Sequence, residues 1–251
     1  MKIITVNIRK GVKVAGITLR LLAFMMILAL CVQVSGLAFQ NSDMHIEAVS
    51  EITEKKTVII DAGHGGEDCG AIGVNGVYEK DLNLTIANLV GEQLTEAGYA
   101  VVYTRTEDKL LYTEEENIKG IRKISDLKNR CKIAAEYDDS IFISIHMNSF
   151  ADAKYSGLHV YYAPESDASQ SLAYAIQNKV RTDIQPNNNR VPKPGKNIFI
   201  LENVDNAAVL VECGFLTNPE ECENLSEKEY QKRLSFSIVC GIIEYMNATN
   251  S

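Results

Sequence analysis

Four side chains able to bind a metal or move a proton stand where the chain changes its pattern. His64 lies in the glycine turn "GHGG" at 63–66, Glu79 follows it by fifteen positions, His146 ends "FISIH", and Glu212 ends "AVLVE". Two imidazoles and a carboxylate from separate segments make the donor set of a catalytic zinc site, which uses three protein ligands and keeps a fourth position open for water. A further carboxylate outside that set is what such a site needs as a proton shuttle. The glycines beside His64 let the backbone turn sharply, so that an imidazole nitrogen can face an ion instead of packing into a sheet.

Taken singly, most of these residues have plainer readings. His64 could be a hydrogen-bonded loop residue, His146 a satisfied histidine at a strand end, and Glu79 an acid favoured by the dipole at a helix start. Glu212 is different, because it sits between "AVLV" and "CGF" in a run expected to be buried, where an unpaired carboxylate is costly. It is the joint placement of all four at one end of their elements that points to a site. The other two histidines stay outside it: His45 belongs to a linker, and His159 alternates with Val160 inside a strand.

The elements that must carry these residues follow from periodicity. "KTVIID" (56–61) is a β-branched run that reads as a buried strand. From Glu79 a helical stripe of Leu82, Ile86, Leu89, Val90, Leu94 and Ala97 runs to Gly98. A strand over 99–105, a charged irregular stretch over 106–124 and a helix over 125–138 lead into the continuous apolar strand 140–149. A strand over 156–164, a helix over 167–182 and a turn-rich loop over 181–197 come next. "IFILEN" (198–203) and "AAVLVECGF" (207–215) read as two more strands, and 226–247 as a final helix. Strands alternating with helices predict one α/β domain: a mostly parallel or mixed sheet of about six strands, flanked by helices, with its site at the carboxyl ends of the strands.

The chain has 251 residues and an ordinary globular composition, enough for one domain and a short appendage. Lys2, Arg9, Lys10, Lys13 and Arg20 precede the uncharged run Leu21–Val34, and small residues such as Gly36 and Ala38 follow. This describes either a cleaved export signal or an uncleaved membrane anchor over 1–39; both place the rest of the chain outside the cytoplasm. Residues 40–55 read as a linker and 56–251 as the folded domain. Without the five basic residues of the leader the net charge moves from -8 to -13, which argues against a nucleic-acid partner. Five cysteines follow Cys31; an odd number without a CxxC pair is neither a disulfide framework nor a cysteine zinc site.

"IIDAGHGGEDCGAIG", "EKDLNLTIA", the "TR" at 104–105, "FISIHMNS" and "VLVECGFLTNPEE" resemble, in order, the motifs of zinc-dependent N-acetylmuramoyl-L-alanine amidases of the amidase-3 type. The resemblance covers roughly 56–247. It implies that His64, Glu79 and His146 hold Zn2+, that Glu212 is the catalytic carboxylate, and that the substrate is the amide between N-acetylmuramic acid and the L-alanine of a peptidoglycan stem. Ala62 and Ala207 stand where that family often has Pro, and Cys69 is at a variable position, so none of these touches the ligand set. "EDKLLY" in the long 106–129 stretch and "SDLKNR" at its end (125–130) resemble the germination-specific branch acting on spore cortex, whose work prepares muramic-δ-lactam. Asn148, beside His146, and Arg190, in the loop facing the site, are candidate substrate contacts. A vegetative autolysin of the same activity and a zinc carboxypeptidase on another wall bond remain as alternatives, and an activating protein partner is left open. A silent wall-binding protein would be expected to lack one of the four residues, and "GHGGEDCG" lacks the GxGxxG order of a dinucleotide site.

Overall fold

In a computed structural model the described residues are 56–249, so the expected leader over 1–39 and the whole linker over 40–55 fall outside them. Along the chain come β1 (Thr57–Ala62), α1 (Glu79–Glu96), β2 (Val101–Tyr103), α2 (Arg122–Ala135), β3 (Ser140–Asn148) and β4 (His159–Tyr162). They are followed by α3 (Asp167–Asp183), β5 (Lys193–Pro194), α4 (Phe199–Asn203), β6 (Ala207–Phe215), α5 (Pro219–Ser226) and α6 (Lys228–Thr249). One mixed sheet has the order β2-β1-β3-β6-β4-β5. β2, β1, β3 and β6 run parallel, β4 is antiparallel to β6, and β5 is parallel to β4.

The two faces of the sheet are unequal. Val58, Ile60, Ile141, Ile143, Val209 and Val211 point to a large core shared with the apolar stripes of α1, α3 and α6. The alternate residues Ile59, Phe142, Ala208 and Leu210 meet a smaller cluster with Ala134 of α2 and Ile200 and Leu201 of α4. Continuous apolar runs in the central strands are what burial on both faces demands. Toward the carboxyl ends the second face turns polar: Asp61 lies opposite Ser144, and His146 opposite Glu212. From β1 the chain goes outward to β2, then returns to β3 on the other side of β1. The gap between β1 and β3 is therefore a topological switch point, where open α/β sheets form their crevices.

Two expectations need correction. "IFILEN" is not a strand but the short helix α4. Its neighbours Ile200 and Leu201 are both buried; a strand would send them to opposite faces, whereas a helical turn lets both cover the open face of the sheet. The expected last helix over 226–247 is α6, and a short helix the periodicity did not assign, α5, precedes it across a break at Glu227; the start of α5 is capped by the Asn218 side chain accepting from Glu221 N–H (3.1 Å), with Pro219 in its first turn. The sixth strand is the two-residue β5 inside the expected loop. Among the described residues no helix is long and apolar enough to cross a membrane.

Candidate metal centre

His64 lies two residues beyond β1 and takes φ 60°, a left-handed conformation that costs a non-glycine residue about 1–2 kcal/mol. The turn swings its ring over the switch point. Nδ1 meets Asp68 Oδ2 at 2.9 Å, leaving Nε2 3.2 Å from Glu79 Oε1. Asp68 in turn pairs with Lys123 (3.0 Å). A carboxylate on the far nitrogen of an imidazole is the arrangement that orients metal-binding histidines.

Glu79 opens α1, where the helix dipole favours an acid. Its carboxylate is buried and saturated: Oε2 accepts from Ala71 N–H (2.7 Å), while Oε1 accepts from Met147 N–H (3.1 Å) and sits 3.0 Å from His146 Nδ1. His146, near the end of β3, lays its other edge on Gly63; a Cβ there would fall 2.1 Å from Nε2. A Cβ on Gly70 would fall 2.5 Å from Glu79 Oε2. Both glycines are close-approach positions that keep room for the cluster.

Donor atoms of His64, Glu79 and His146 all lie within 4.8 Å of one another. A tetrahedral ion with bonds of about 2.1 Å sets its ligand atoms about 3.4 Å apart, near the 3.0 and 3.2 Å found here. Two imidazoles and one buried carboxylate thus fit zinc. Glu212, on β6 directly across from His146, stands beside this group on the same face. Its Oε2 is buried with no hydrogen-bond partner among the described residues. An orphaned carboxylate oxygen next to a metal-capable cluster is what a proton-transferring group outside the donor set looks like.

Electrostatics separate the two glutamates. Burial opposes the charge on Glu79, but the hydrogen bonds from His146 and His64 hold it well below the usual carboxylate range. In Glu212 burial, helped by the Glu79 charge, wins over His146 and His64 and pushes the carboxyl up to about 7. For His64, burial is overridden by the Asp68 and Glu79 carboxylates, and its pKa rises to about 9; zinc binding there must release a proton.

Asn148 ends β3 opposite Phe215, past a shift in register after His146. The Arg190 guanidinium stacks 4.6 Å above the Phe215 ring, with Nε donating to Ser156 O (2.8 Å). Both candidate contacts therefore flank the strand end three residues past Glu212. Cys69 donates its thiol to Gly70 O (3.2 Å) and His159 Nε2 contacts Val191 O (2.9 Å); neither joins the cluster. Sequence reasoning missed Asp68, whose only signal was its place four residues after His64, and Asn83, which donates from Nδ2 to Gly63 O (3.1 Å) one helical turn after Glu79.

The Amidase_3 family, N-acetylmuramoyl-L-alanine amidase, matches residues 58–244. The chain is 35% identical over 190 residues to the germination-specific N-acetylmuramoyl-L-alanine amidase of Bacillus subtilis, covering 76% of this chain and 79% of that one. Among solved structures it is similar to the CwlD amidase of Clostridioides difficile in complex with the GerS lipoprotein: 37% identity, TM-score 0.74, 77% of this chain and 99% of that one. The amidase AmiC2 of Nostoc punctiforme is also similar, at 31% identity and TM-score 0.66, covering 77% of this chain and 98% of that one. The motif-bearing segments all lie within the matched region, which takes in nearly the whole fold, and the chain belongs to the N-acetylmuramoyl-L-alanine amidase family.

Proposed function

We propose that this peptidoglycan amidase is zinc-dependent and works in spore cortex maturation, freeing the stem peptide from N-acetylmuramic acid so that muramic-δ-lactam can form. The observation that carries the metal is the approach of His64 Nε2 and His146 Nδ1 to one oxygen of Glu79, at 3.2 and 3.0 Å. The cortex role is supported by the similarity to the germination-specific enzyme of B. subtilis.

In this reading His64, Glu79 and His146 hold the ion, and Asp68 fixes the His64 ring through Nδ1. When bound, zinc supplies Lewis acidity that polarises the scissile carbonyl and acidifies water. Glu212 receives the proton of the attacking water and returns it to the nitrogen of the leaving L-alanine; its enclosed site keeps it close to neutral pKa, as a group that must both accept and donate requires. Asn148, at the end of β3, and Arg190, stacked on Phe215 at the end of β6, contact the substrate. The leader 1–39 exports or anchors the domain, and 40–55 links the two, in keeping with a relative described as a probable cell wall amidase. A lipoprotein partner belongs to this reading because the C. difficile neighbour was solved in such a complex.

Mass spectrometry of cortex muropeptides from a deletion strain tests it. Loss of muramic-δ-lactam is expected, with restoration by the wild-type gene and none by His146→Ala. Normal lactam in the deletion strain sinks the cortex role. Full activity of purified protein after exhaustive chelation sinks zinc. If deleting the lipoprotein leaves the lactam intact, the partner is not needed.

A further inference from the structure

Behind the His–Glu–His cluster lies a second set of buried charges that the chemistry above does not use. Arg105 is 2% exposed and Arg130 is 1%, and burying a guanidinium is costly unless its N–H groups are all met. Arg130 has acids for this: Nε donates to Asp126 Oδ2 (2.8 Å) and Nη1 to Asp61 Oδ1 (2.5 Å). Arg105 has no carboxylate in hydrogen-bond reach among the described residues. Its partners are backbone carbonyls: Ala62 O from Nε (2.8 Å), Gly63 O and Lys80 O from Nη2 (2.9 Å each), and Glu107 O from Nη1 (3.1 Å).

Arg130 adds two more, Ala62 O from Nη1 (2.7 Å) and His64 O from Nη2 (2.8 Å). Three consecutive carbonyls, 62 to 64, thus end on two guanidiniums. They belong to the peptide units around the one residue of the cluster with a left-handed backbone. The pair also ties the ligand-bearing elements together. Arg105 Nη2 bridges the carbonyl before His64 to the carbonyl after Glu79. Arg130 holds Asp61, and Asp61 Oδ2 accepts from Ser144 Oγ (2.5 Å), two residues before His146.

We propose that Arg105 and Arg130 are positioning residues that hold the His64 turn in its left-handed form and set the spacing of the three ligand-bearing elements, so that the centre is assembled before an ion arrives. The proposal rests on His64, Glu79 and His146 being the ligands. Planar forks suit this task, because one guanidinium reaches several acceptors in fixed directions, while a lysine ammonium reaches them only one geometry at a time.

The cleaner test is Arg105→Lys, which keeps the charge and leaves no acid unpaired. Zinc affinity of the full chain is measured by competition with a chromophoric chelator, with folding checked by circular dichroism and melting. Ile242→Val is the stability control: Ile242 is buried in the large core on α6, outside the hydrogen-bond network around 62–64. We expect Arg105→Lys to bind zinc about 10- to 100-fold more weakly, the usual range for outer-shell partners, and Ile242→Val to stay within about twofold while losing about 0.5–1.5 kcal/mol of stability. In metal-free protein, amide exchange at Gly65, whose N–H is bonded to Asp68 O (3.0 Å), should accelerate in Arg105→Lys more than in Ile242→Val. A folded Arg105→Lys with wild-type affinity and exchange overturns the proposal, as does an affinity loss that tracks melting temperature equally in both variants. His64→Ala separates the two levels: if it binds zinc like wild type, the ligand assignment falls and the proposal with it. If His64→Ala loses zinc while Arg105→Lys does not, only the positioning role is lost.

Discussion

Replacing Gly63 by alanine should disable the metal centre with one methyl group. The added Cβ would lie 2.1, 2.3 and 2.6 Å from Nε2, Cε1 and Cδ2 of His146. Reaching an ordinary contact of about 3.5 Å requires the ring to retreat by about 1.4 Å from the nearest of these positions. Metal–ligand distances tolerate about 0.2 Å, so His146 Nδ1 leaves the donor set. The backbone does not object, since Gly63 is not among the positive-φ glycines. Overpacking of this kind costs about 1–3 kcal/mol, less than the ~5–15 kcal/mol that holds a domain together. The expected result is a folded protein whose zinc affinity drops by at least about 100-fold, with turnover falling in step. Equilibrium dialysis against zinc buffers, with metal quantified by mass spectrometry, gives the affinity. Because the damage runs through His146, Gly63→Ala added to His146→Ala should cost no further affinity. Near-normal zinc in Gly63→Ala, or additive losses in the double variant, would refute the reasoning.

Glu212→Gln should keep zinc while turnover falls by about 10²- to 10⁴-fold, the worth of one general acid–base group; loss of the metal would make Glu212 a ligand instead. Arg190→Gln should raise KM for wall fragments by about 10-fold or more with little change in kcat, as the loss of a charge-assisted hydrogen bond implies; an unchanged KM removes it from the substrate path. Stability should fall in acid through Asp61. Burial opposes its charge, but Arg130 and the Ser144 and Thr104 hydroxyls hold its pKa below the ordinary value. An acid depressed in the folded state stabilises above its unfolded pKa of about 3.9 and loses that contribution as pH drops through the folded one. Melting temperature should therefore be governed by this group only below about pH 4, and the loss there should shrink in Asp61→Asn, which starts from a lower stability. An identical acid profile in that variant would exclude Asp61.

Much of this protein is legible in one dimension because its strongest signals are local. The unbroken apolar runs 57–62, 140–148 and 207–215 are buried on both faces whatever their order, and periodicity alone identifies them. The residues that bear chemistry stand near the ends of those runs, His64 two residues past the first and His146 and Glu212 toward the carboxyl ends of the other two, so they stand out without any knowledge of contacts. "IFILEN" was misread for the same reason: its composition suits a strand, and only the need to cover the thin face of the sheet makes it the helix α4.

What the tertiary structure alone decided is which groups meet. The sequence marks Glu212 as a carboxylate in a buried run and Glu79 as an acid at a helix start, but it does not say that Glu79 is gripped by two backbone N–H groups and two imidazoles while an oxygen of Glu212 has no partner among the described residues. That difference comes from chain crossings 67 and 68 residues apart in sequence, those joining His146 and Met147 to Glu79. The arginine pair is the sharper case. Arg105 follows a three-residue strand and Arg130 sits in a charged helix, where either would pass for a solvated cation. Only when β1, β3 and α2 close around 62–64 do their N–H groups find the carbonyls of the His64 turn. Burial then makes those hydrogen bonds obligatory, because no water remains to replace them.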